Sequence, residues 1–198
     1  IDSPGTFTIQ DAGCADANRL FGVKNTVPAV AFSVNGGASW TVGGTGVSSP
    51  TSRAAVRPDS TELLLTAEVP PPSLLKSSDL GMNYAAADTV TMAAATFFGG
   101  IFADASGFYV AGRDGANCNV YSSTTGDAST FGSQSIGCGA SDTLSEIVRT
   151  DSRIFYGGSA GGAAPLLLRI NLDDGETATE TLPGATGGTL TSLIAVTQ

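Results

Sequence analysis

A turn signal runs directly into an apolar strand in Asp16-Ala17-Asn18-Arg19-Leu20-Phe21. An aspartate at a turn accepts hydrogen bonds from the backbone amides ahead of it, so the phrase predicts a tight turn before a strand. The first aspartates of the successive copies are separated by 43 (16 to 59), 45 (59 to 104) and 47 (104 to 151) residues. The three further copies have the same length: Asp59-Ser60-Thr61-Glu62-Leu63-Leu64, Asp104-Ala105-Ser106-Gly107-Phe108-Tyr109 and Asp151-Ser152-Arg153-Ile154-Phe155-Tyr156.

The composition indicates short strands joined by tight turns. Of the 198 residues only 14% are charged, against roughly 25% in soluble domains, and 26 are glycine. A net charge of −9 with scattered Lys and Arg excludes a nucleic-acid surface and attraction to anionic lipid, because both need clustered positive charge. No apolar run approaches the roughly 20 residues that span a bilayer, so no membrane insertion is expected.

A second phrase falls between the aspartate turns. It reads Ser33-Val34-Asn35-Gly36-Gly37-Ala38-Ser39-Trp40 in the first unit and Ser77-Ser78-Asp79-Leu80-Gly81-Met82-Asn83-Tyr84 in the second. Both resemble the Asp-box, or BNR repeat, of sialidase-type and sortilin-type propellers, Ser-x-Asp-x-Gly-x-x-aromatic. The resemblance implies a hairpin turn between the third and fourth strands of a blade. There Ser and Asp tie down the loop, Gly supplies a positive φ and the aromatic ring packs between sheets.

Two weaker versions continue the series. The third unit has Ser122-Ser123-Thr124-Thr125-Gly126, with Phe131 displaced beyond the usual aromatic position. The fourth has Asn171-Leu172-Asp173-Asp174-Gly175 and lacks the aromatic residue. The structural Asp-box residues are therefore expected to be Ser33, Asn35, Gly37, Trp40, Ser77, Asp79, Gly81, Tyr84, Asp173 and Gly175.

Two phrases in phase predict an all-β fold, a β-propeller of about four four-stranded blades. A single domain over residues 1–198 would contain units at about 5–50, 51–97, 98–144 and 145–189, and a terminal strand at 190–198. In the second unit the strands are expected at residues 53–57, 62–68, 73–77 and 84–92. A β-sandwich and a β-helix are the alternatives, whereas frequent Gly, Pro and Asp-Gly breakers exclude helical repeats.

The ends of the chain complicate closure of a ring. Innermost-strand patterns occur five times for four sets of outer strands, at residues 5–9, 53–57, 99–103, 146–150 and 190–196. The fifth strand would either replace the N-terminal strand or begin a further blade. The chain is thus interpreted as a closed ring or as part of a larger propeller completed by a second chain or by missing sequence.

Three cysteines and the start of the chain bear on its location. The chain starts at Ile1 without Met, as expected after removal of a signal peptide or excision from a longer chain. For a secreted or extracellular protein we expect a disulfide between Cys118 and Cys138. Cys14 would then be a buried thiol or pair with a segment outside this chain.

The resemblance to sialidases implies an arginine triad, a Tyr nucleophile paired with Glu, and an acidic proton donor. Arg57 and Arg149 occupy corresponding inner-strand positions, but no early Arg-Ile-Pro segment exists. The four tyrosines fall within blade strands, and the recurring aspartates are explained by turn chemistry. We therefore expect no catalytic residues, and we also expect no pair of carboxylates placed for glycoside hydrolysis.

The segment Gly157-Gly158-Ser159-Ala160-Gly161-Gly162 has the glycines of a nucleophile elbow or a phosphate loop. The chain has no His to activate the serine, and the segment has no Lys for a phosphate. We interpret it as a loop between the second and third strands. Equivalent loops at 25–28, 69–72 and 112–117 would form the contact surface of the propeller. The pairs Asp173-Asp174 and Asp114-Gly115 are read as turns, so no metal and no cofactor are expected.

These features predict a secreted, non-catalytic binding or assembly module. Its loops would contact a protein or a glycan, and self-assembly or a second chain completing the propeller are further options. The alternative is a fragment or degenerate relative of a glycoside-processing, sialidase-like propeller enzyme.

Overall fold

Sixteen β-strands make up the regular secondary structure of the described residues. The protein is represented by a computed structural model. It describes residues 9–24, 30–48, 51–67, 72–87, 95–115, 117–123, 125, 127–139, 141–161, 164–180, 182, 187–190 and 193. No helix among them is long and apolar enough to cross a membrane.

The first half of the chain folds into two four-stranded sheets. Each is a meander in which the strands pair antiparallel in chain order. The first sheet contains β1 (Ile9–Cys14), β2 (Leu20–Lys24), β3 (Val30–Ser33) and β4 (Thr41–Gly43). The second contains β5 (Thr51–Val56), β6 (Leu63–Ala67), β7 (Ser73–Ser77) and β8 (Ala85–Ala86).

The second half repeats this arrangement twice. The third sheet contains β9 (Phe97–Asp104), β10 (Gly107–Asp114), β11 (Asn117–Ser123) and β12 (Phe131–Ile136). The fourth contains β13 (Thr143–Arg149), β14 (Arg153–Ala160), β15 (Ala164–Asn171) and β16 (Thr177–Thr179). Four four-stranded meanders confirm the predicted all-β propeller class with about four blades.

Several strand boundaries differ from the expectation. The first inner strand begins at Ile9 and extends to Cys14, whereas we expected it to end at Ile9; residues 5–8 lie outside the described residues. In the second sheet β7 matches residues 73–77, but β8 has only two residues of the expected 84–92. Residues 88–92 lie outside the description, as do most of 190–196, where only Leu190 and Leu193 are described.

The chain divides into two compact units. The first comprises Ile1–Ala93, Ala103–Phe108 and Ser122–Gly132, and the second comprises Ala94–Phe102, Tyr109–Tyr121 and Ser133–Gln198. The single domain expected over the whole chain stays a prediction.

The core of the first unit lies on both faces of β6, whose five residues are all buried. Leu65 is fully buried there and packs in one cluster with Phe21, Val23 and Tyr84. Removing such an apolar side chain from water contributes about 1.5–3 kcal/mol. This burial explains why a nearly continuous apolar run forms the second strand of the blade.

The core of the second unit is read most clearly from β15. Its burial alternates, with Leu166, Leu168 and Ile170 buried and their neighbours partly exposed. That period of two is typical of a strand with one face in a core. The buried residues pack in one cluster with Tyr156 and Cys118.

Innermost strands approach their neighbours very closely where glycine is present. In the second unit, a Cβ on Gly99 of β9 would lie 1.6 Å from the carbonyl oxygen of Leu144 in β13. A Cβ on Gly158 of β14 would lie 1.7 Å from the carbonyl oxygen of Thr143. Only glycine permits this spacing, because the obstacle is backbone in both cases.

Candidate functional site

The loop after β7 is held by two side chains. The Ser77 hydroxyl donates to Asp79 Oδ1 at 2.7 Å and accepts from the Gly81 amide at 2.9 Å. Asp79 also accepts from the Asn83 amide at 2.9 Å and from Asn83 Nδ2 at 2.7 Å. Burial acts to raise the pKa of Asp79, but these hydrogen bonds outweigh it and hold that pKa below the ordinary value. The carboxylate is therefore engaged in shaping the loop.

The loop after β3 has the same pattern with an amide in place of the carboxylate. The Ser33 hydroxyl donates to Asn35 Oδ1 and accepts from the Gly37 amide, both at 2.9 Å. Gly37 and Gly81 have φ values of 86° and 94°, which side chains other than glycine rarely adopt. The aromatic residues that end the two loops are Trp40, which is half-buried, and Tyr84, which is buried in the first unit's core.

Two adjacent serines allow a matched test of this loop. We expect Ser77→Ala to lower the free energy of unfolding by about 1–3 kcal/mol, because the Gly81 amide loses its buried acceptor. Ser78→Ala is the control and should stay within about 0.5 kcal/mol, since Ser78 is exposed. Urea denaturation followed by fluorescence measures both. Equal losses in the two variants would contradict the role given to Ser77.

The third loop lies later in the sequence than expected. Ser122 and Ser123 belong to β11, so the loop begins after them, and Thr124 and Gly126 of the weaker Asp-box copy lie outside the described residues. Asp127 Oδ1 instead accepts from the amide and the hydroxyl of Ser129, at 3.0 and 2.6 Å, and from the Thr125 hydroxyl. These bonds, the Ser129 hydroxyl first, lower the pKa of Asp127 to about 2. Thr125 and Asp127 thus correspond to Ser77 and Asp79.

In the fourth loop the capping carboxylate is Asp174. Its Oδ1 accepts from the Glu176 amide at 2.8 Å, and the Gly175 amide donates to the Asn171 carbonyl at 2.9 Å. Gly175 has a φ of 72°, as the turn requires, whereas Asp173 is exposed. The structure therefore places Gly175 in the expected role and assigns the expected role of Asp173 to its neighbour.

The aspartate turns between first and second strands divide into two kinds. Asp16 Oδ1 accepts from the amides of Asn18 and Arg19 at 2.7 and 2.8 Å, and Asp104 Oδ1 from that of Ser106 at 2.7 Å. The hydrogen bond donated by the Asn18 amide is the largest cause that lowers the pKa of Asp16, and the hydrogen bonds donated by Arg19 follow it. Asp59 differs, because its backbone adopts a φ of 54° and its amide donates to the Ala15 carbonyl.

Asp11 is the one described aspartate whose pKa is raised. Burial is the main cause, and hydrogen bonds from the amides of Ala54 (3.0 Å) and Ala12 (2.9 Å) and the charge of Arg53 oppose it. The carboxylate joins the innermost strands β1 and β5 of the first unit. It serves as a clip between neighbouring sheets, because both of its oxygens accept backbone amides.

The side chains considered for sialidase-like chemistry have other contacts. In the first unit Arg57 pairs with Glu62 at 2.8 Å. In the second, the Arg149 guanidinium lies 5.1 Å from the centre of the Tyr109 ring, a cation–π contact. All four tyrosines are buried, and burial raises the pKa of Tyr84, Tyr121 and Tyr156 above the ordinary value.

The glycine-rich segment is mostly strand. Gly157 and Gly158 are buried within β14, which extends to Ala160, so the predicted loop at 157–162 is wrong. The predicted loop at 112–117 is likewise reduced to a tight turn at Gly115 between β10 and β11. The loops expected at 25–28 and at 69–72, apart from Pro72, lie outside the described residues.

Two of the three cysteines form a disulfide and the third is a free thiol. Cys118 and Cys138 form a disulfide with Cα atoms 5.7 Å apart, which confirms the predicted pair. A disulfide indicates an oxidising environment. Cys14 is a free, exposed thiol, so of the two expected alternatives the buried thiol is wrong, and pairing outside this chain stays a prediction. Among the described residues no three His, Cys, Asp or Glu side chains form a group able to hold a metal ion.

A cleft of about 440 Å³ opens in the first unit beside the Ser77–Tyr84 loop. Lys76 of β7, Glu62 and the third loop's Asp127 supply charged side chains to its walls. We call it the Lys76 cleft. Sequence reasoning missed it, because residues far apart in the chain form it and those that belong to the Asp-box phrase were assigned to the turn alone. Its complete lining is Glu62, Lys76, Ser77, Ser78, Asp79, Asn83, Tyr84, Ala85 and Asp127.

Comparisons with known proteins identify the fold alone. No protein-family model matches the sequence, and no curated protein sequence matches it. Among solved structures the chain is similar to YCF48 bound to D1 peptide, with 16% identity and a TM-score of 0.57 over 92% of this chain and 56% of that one. YCF48 from Cyanidioschyzon merolae gives 11% identity and a TM-score of 0.60 over 92% and 59%.

An ancestral GH74 enzyme is a further structural neighbour. It has 13% identity and a TM-score of 0.57, and the match covers 87% of this chain and 31% of that chain. The chain thus spans less than three fifths of the YCF48 chains and about a third of the GH74 chain. Because one of these neighbours is described as an enzyme and another by the peptide bound to it, the fold does not decide the activity.

Proposed function

We propose that the chain is an Asp-box propeller module, secreted and without a catalytic set of its own, that acts by binding a protein partner. The observation that carries the proposal is the use made of the carboxylates. Asp16, Asp79, Asp104, Asp127 and Asp174 each accept hydrogen bonds from their own turns. An acid or base catalyst needs a carboxyl directed at substrate with a pKa near the working pH, and these groups are bound locally.

The edge of the third sheet supports a protein partner. β12 is the terminal strand of its sheet, and its six residues carry no charge. Ser133, Gln134 and Ser135 are exposed along it. Native proteins normally protect such edges, because an extended segment can add to them as a further strand. The solved structure of YCF48 with a bound peptide is compatible with this kind of partner.

A peptide-display selection tests the proposal. We expect the immobilised protein to enrich extended peptides from a random library displayed on phage. The double variant Ser133→Lys/Ser135→Lys should weaken binding of the selected peptides at least about tenfold, because charges on an edge oppose strand addition. The control Ser141→Lys/Ser152→Lys adds the same charge at two exposed serines in turns and should bind within about twofold of the original.

Enzyme assays provide the opposing outcome. The protein should release no product from a fluorogenic sialoside or from a panel of aryl glycosides. Turnover that disappears in Arg149→Ala would reject the non-catalytic assignment. Failure to enrich any peptide, or enrichment unaffected by lysines on β12, would reject the protein-binding part.

A further inference from the structure

The repeats of the first unit differ at one position in a way that opens the Lys76 cleft. When Ser33 is aligned with Ser77, Lys76 of the second blade corresponds to Phe32 of the first. Phe32 is buried in the apolar core, with only 7% of its surface exposed. Close packing surrounds it, since a Cβ on Gly43 would meet its ring at 3.1 Å. The second blade has a charged side chain and open space at the equivalent place.

Lys76 is held in the wall of the cleft without a direct bond. The side chain is half-buried, and its charge acts on Asp127. Among the described residues its ammonium forms no hydrogen bond and no ion pair within 4.0 Å. A half-buried lysine at a position that packs an aromatic ring in the neighbouring repeat departs from the blade pattern. Such departures are expected where a ligand is bound.

The carboxylates around the ammonium are engaged by other protein groups. Glu62 pairs with Arg57 at 2.8 Å, and Asp79 accepts three hydrogen bonds from its own loop, from Ser77 and twice from Asn83. Asp127 accepts from Ser129 and Thr125 through Oδ1, and it is the carboxylate on which the charge of Lys76 acts, so these two opposite charges face the cleft together. A strongly charged ligand would therefore be opposed by one of the two.

The remaining polar groups of the cleft can both donate and accept hydrogen bonds. Ser78 and Asn83 add a hydroxyl and an amide, and Tyr84 and Ala85 add a small apolar surface. A volume of about 440 Å³ lies within the range of small-molecule sites, roughly 300–1,000 Å³. Hydroxyl groups satisfy such a lining, because each one donates to a carboxylate and accepts from an ammonium.

We infer that the Lys76 cleft binds a neutral saccharide. Lys76 and Asn83 donate to its hydroxyl oxygens, and Asp127 accepts from its hydroxyl hydrogens. This site shares no residue with β12 and does not depend on the peptide-binding proposal. It is lined by residues of the second and third repeats, so it is not a repeated feature of the fold.

An array of neutral, sialylated and sulfated oligosaccharides, followed by calorimetry on the saccharides that bind, tests the inference. We expect neutral saccharides to bind, with Lys76→Phe weakening them at least about tenfold by filling the cleft as Phe32 does in the first blade. Lys76→Met keeps the length of the side chain and serves if the phenylalanine does not fold. The control Arg153→Gln removes a positive charge at an exposed turn and should change affinity less than about twofold.

Each other outcome overturns the inference. Binding of no neutral saccharide would reject it, as would binding that Lys76→Met leaves unchanged. Preference for sialylated or sulfated saccharides would show that Lys76 binds an anionic group and not the hydroxyl groups of a neutral saccharide. Binding of an oligolysine peptide that Asp127→Asn abolishes would assign the cleft to basic protein segments.

Discussion

Gly158→Ala is expected to lower the free energy of unfolding by about 3 kcal/mol or more, at the upper end of what overpacking costs. The added methyl group would lie 1.7 Å from the carbonyl oxygen and 2.7 Å from the carbonyl carbon of Thr143. Both atoms belong to the backbone of β13, which pairs with β14, so no side-chain rotation relieves the clash. The strands must separate, and the Leu190 amide that donates to Gly158 at 3.0 Å is displaced as well.

Gly137→Ala is the matched control for this substitution. A Cβ at Gly137 has no neighbour within 4 Å, so the free energy of unfolding should change by less than about 0.5 kcal/mol. Thermal unfolding followed by circular dichroism separates the variants. The unfolding midpoint of Gly158→Ala should be lower than that of the original protein by about 10 °C. Similar midpoints for both would show that β13 and β14 are not as close as described.

The second large effect concerns the disulfide. Removing it with Cys118→Ala/Cys138→Ala should cost about 3 kcal/mol, because the bridge closes a loop of 20 residues and restricts the unfolded chain. Cys118 is also fully buried in the second unit's core, so alanine leaves a small cavity there. Urea denaturation with and without reductant measures the cost.

Cys14→Ser provides the control for the disulfide. Cys14 is exposed and unbridged, so its replacement should leave the unfolding midpoint unchanged. Reductant should lower the midpoint of the Cys14→Ser protein and have no effect on the double alanine variant. A midpoint of the oxidised protein equal to that of the double variant would contradict the assigned pairing.

Much of the fold can be predicted from the two phrases that repeat along the sequence. The two phrases recur at nearly constant spacing because each blade needs the same turn residues, and this predicted the blades and most strands. Strand limits near glycine were harder to predict. Gly157 and Gly158 resemble a loop in composition, yet they are buried in β14 because they let two backbones approach.

The candidate sites were predicted unevenly for similar reasons. The loops at Ser77 and Ser33 are local. Each has a serine, then an aspartate or asparagine, then a glycine at the same spacing, so the sequence alone predicts them. The third loop was misplaced because Thr125 and Ser129 replace the usual residues and Phe131 stands closer to Asp127 than the pattern allows. The Lys76 cleft is non-local, and only the repeat comparison of Lys76 with Phe32 could have indicated it.

Stability is expected to depend on pH in two opposite ways. The pKa of Asp127 is about 2 in the folded protein against an ordinary 3.8, so its turn stabilises fully above the unfolded value and loses this contribution as pH falls toward 2. Asp16 and Asp79 act in the same direction. Asp11 acts oppositely, since its raised pKa means that ionisation above the unfolded value weakens the fold.

A carboxyl-carbon NMR titration of every aspartate and glutamate tests most directly whether the repeated carboxylates are structural. Asp16, Asp79 and Asp127 should titrate below 3.8, with Asp127 near 2. Asp11, by contrast, should titrate above its ordinary value and independently of any other carboxyl group. A turn aspartate that titrates above about 5, or a second carboxyl that titrates in step with Asp11, would reveal an acid–base pair and contradict the account.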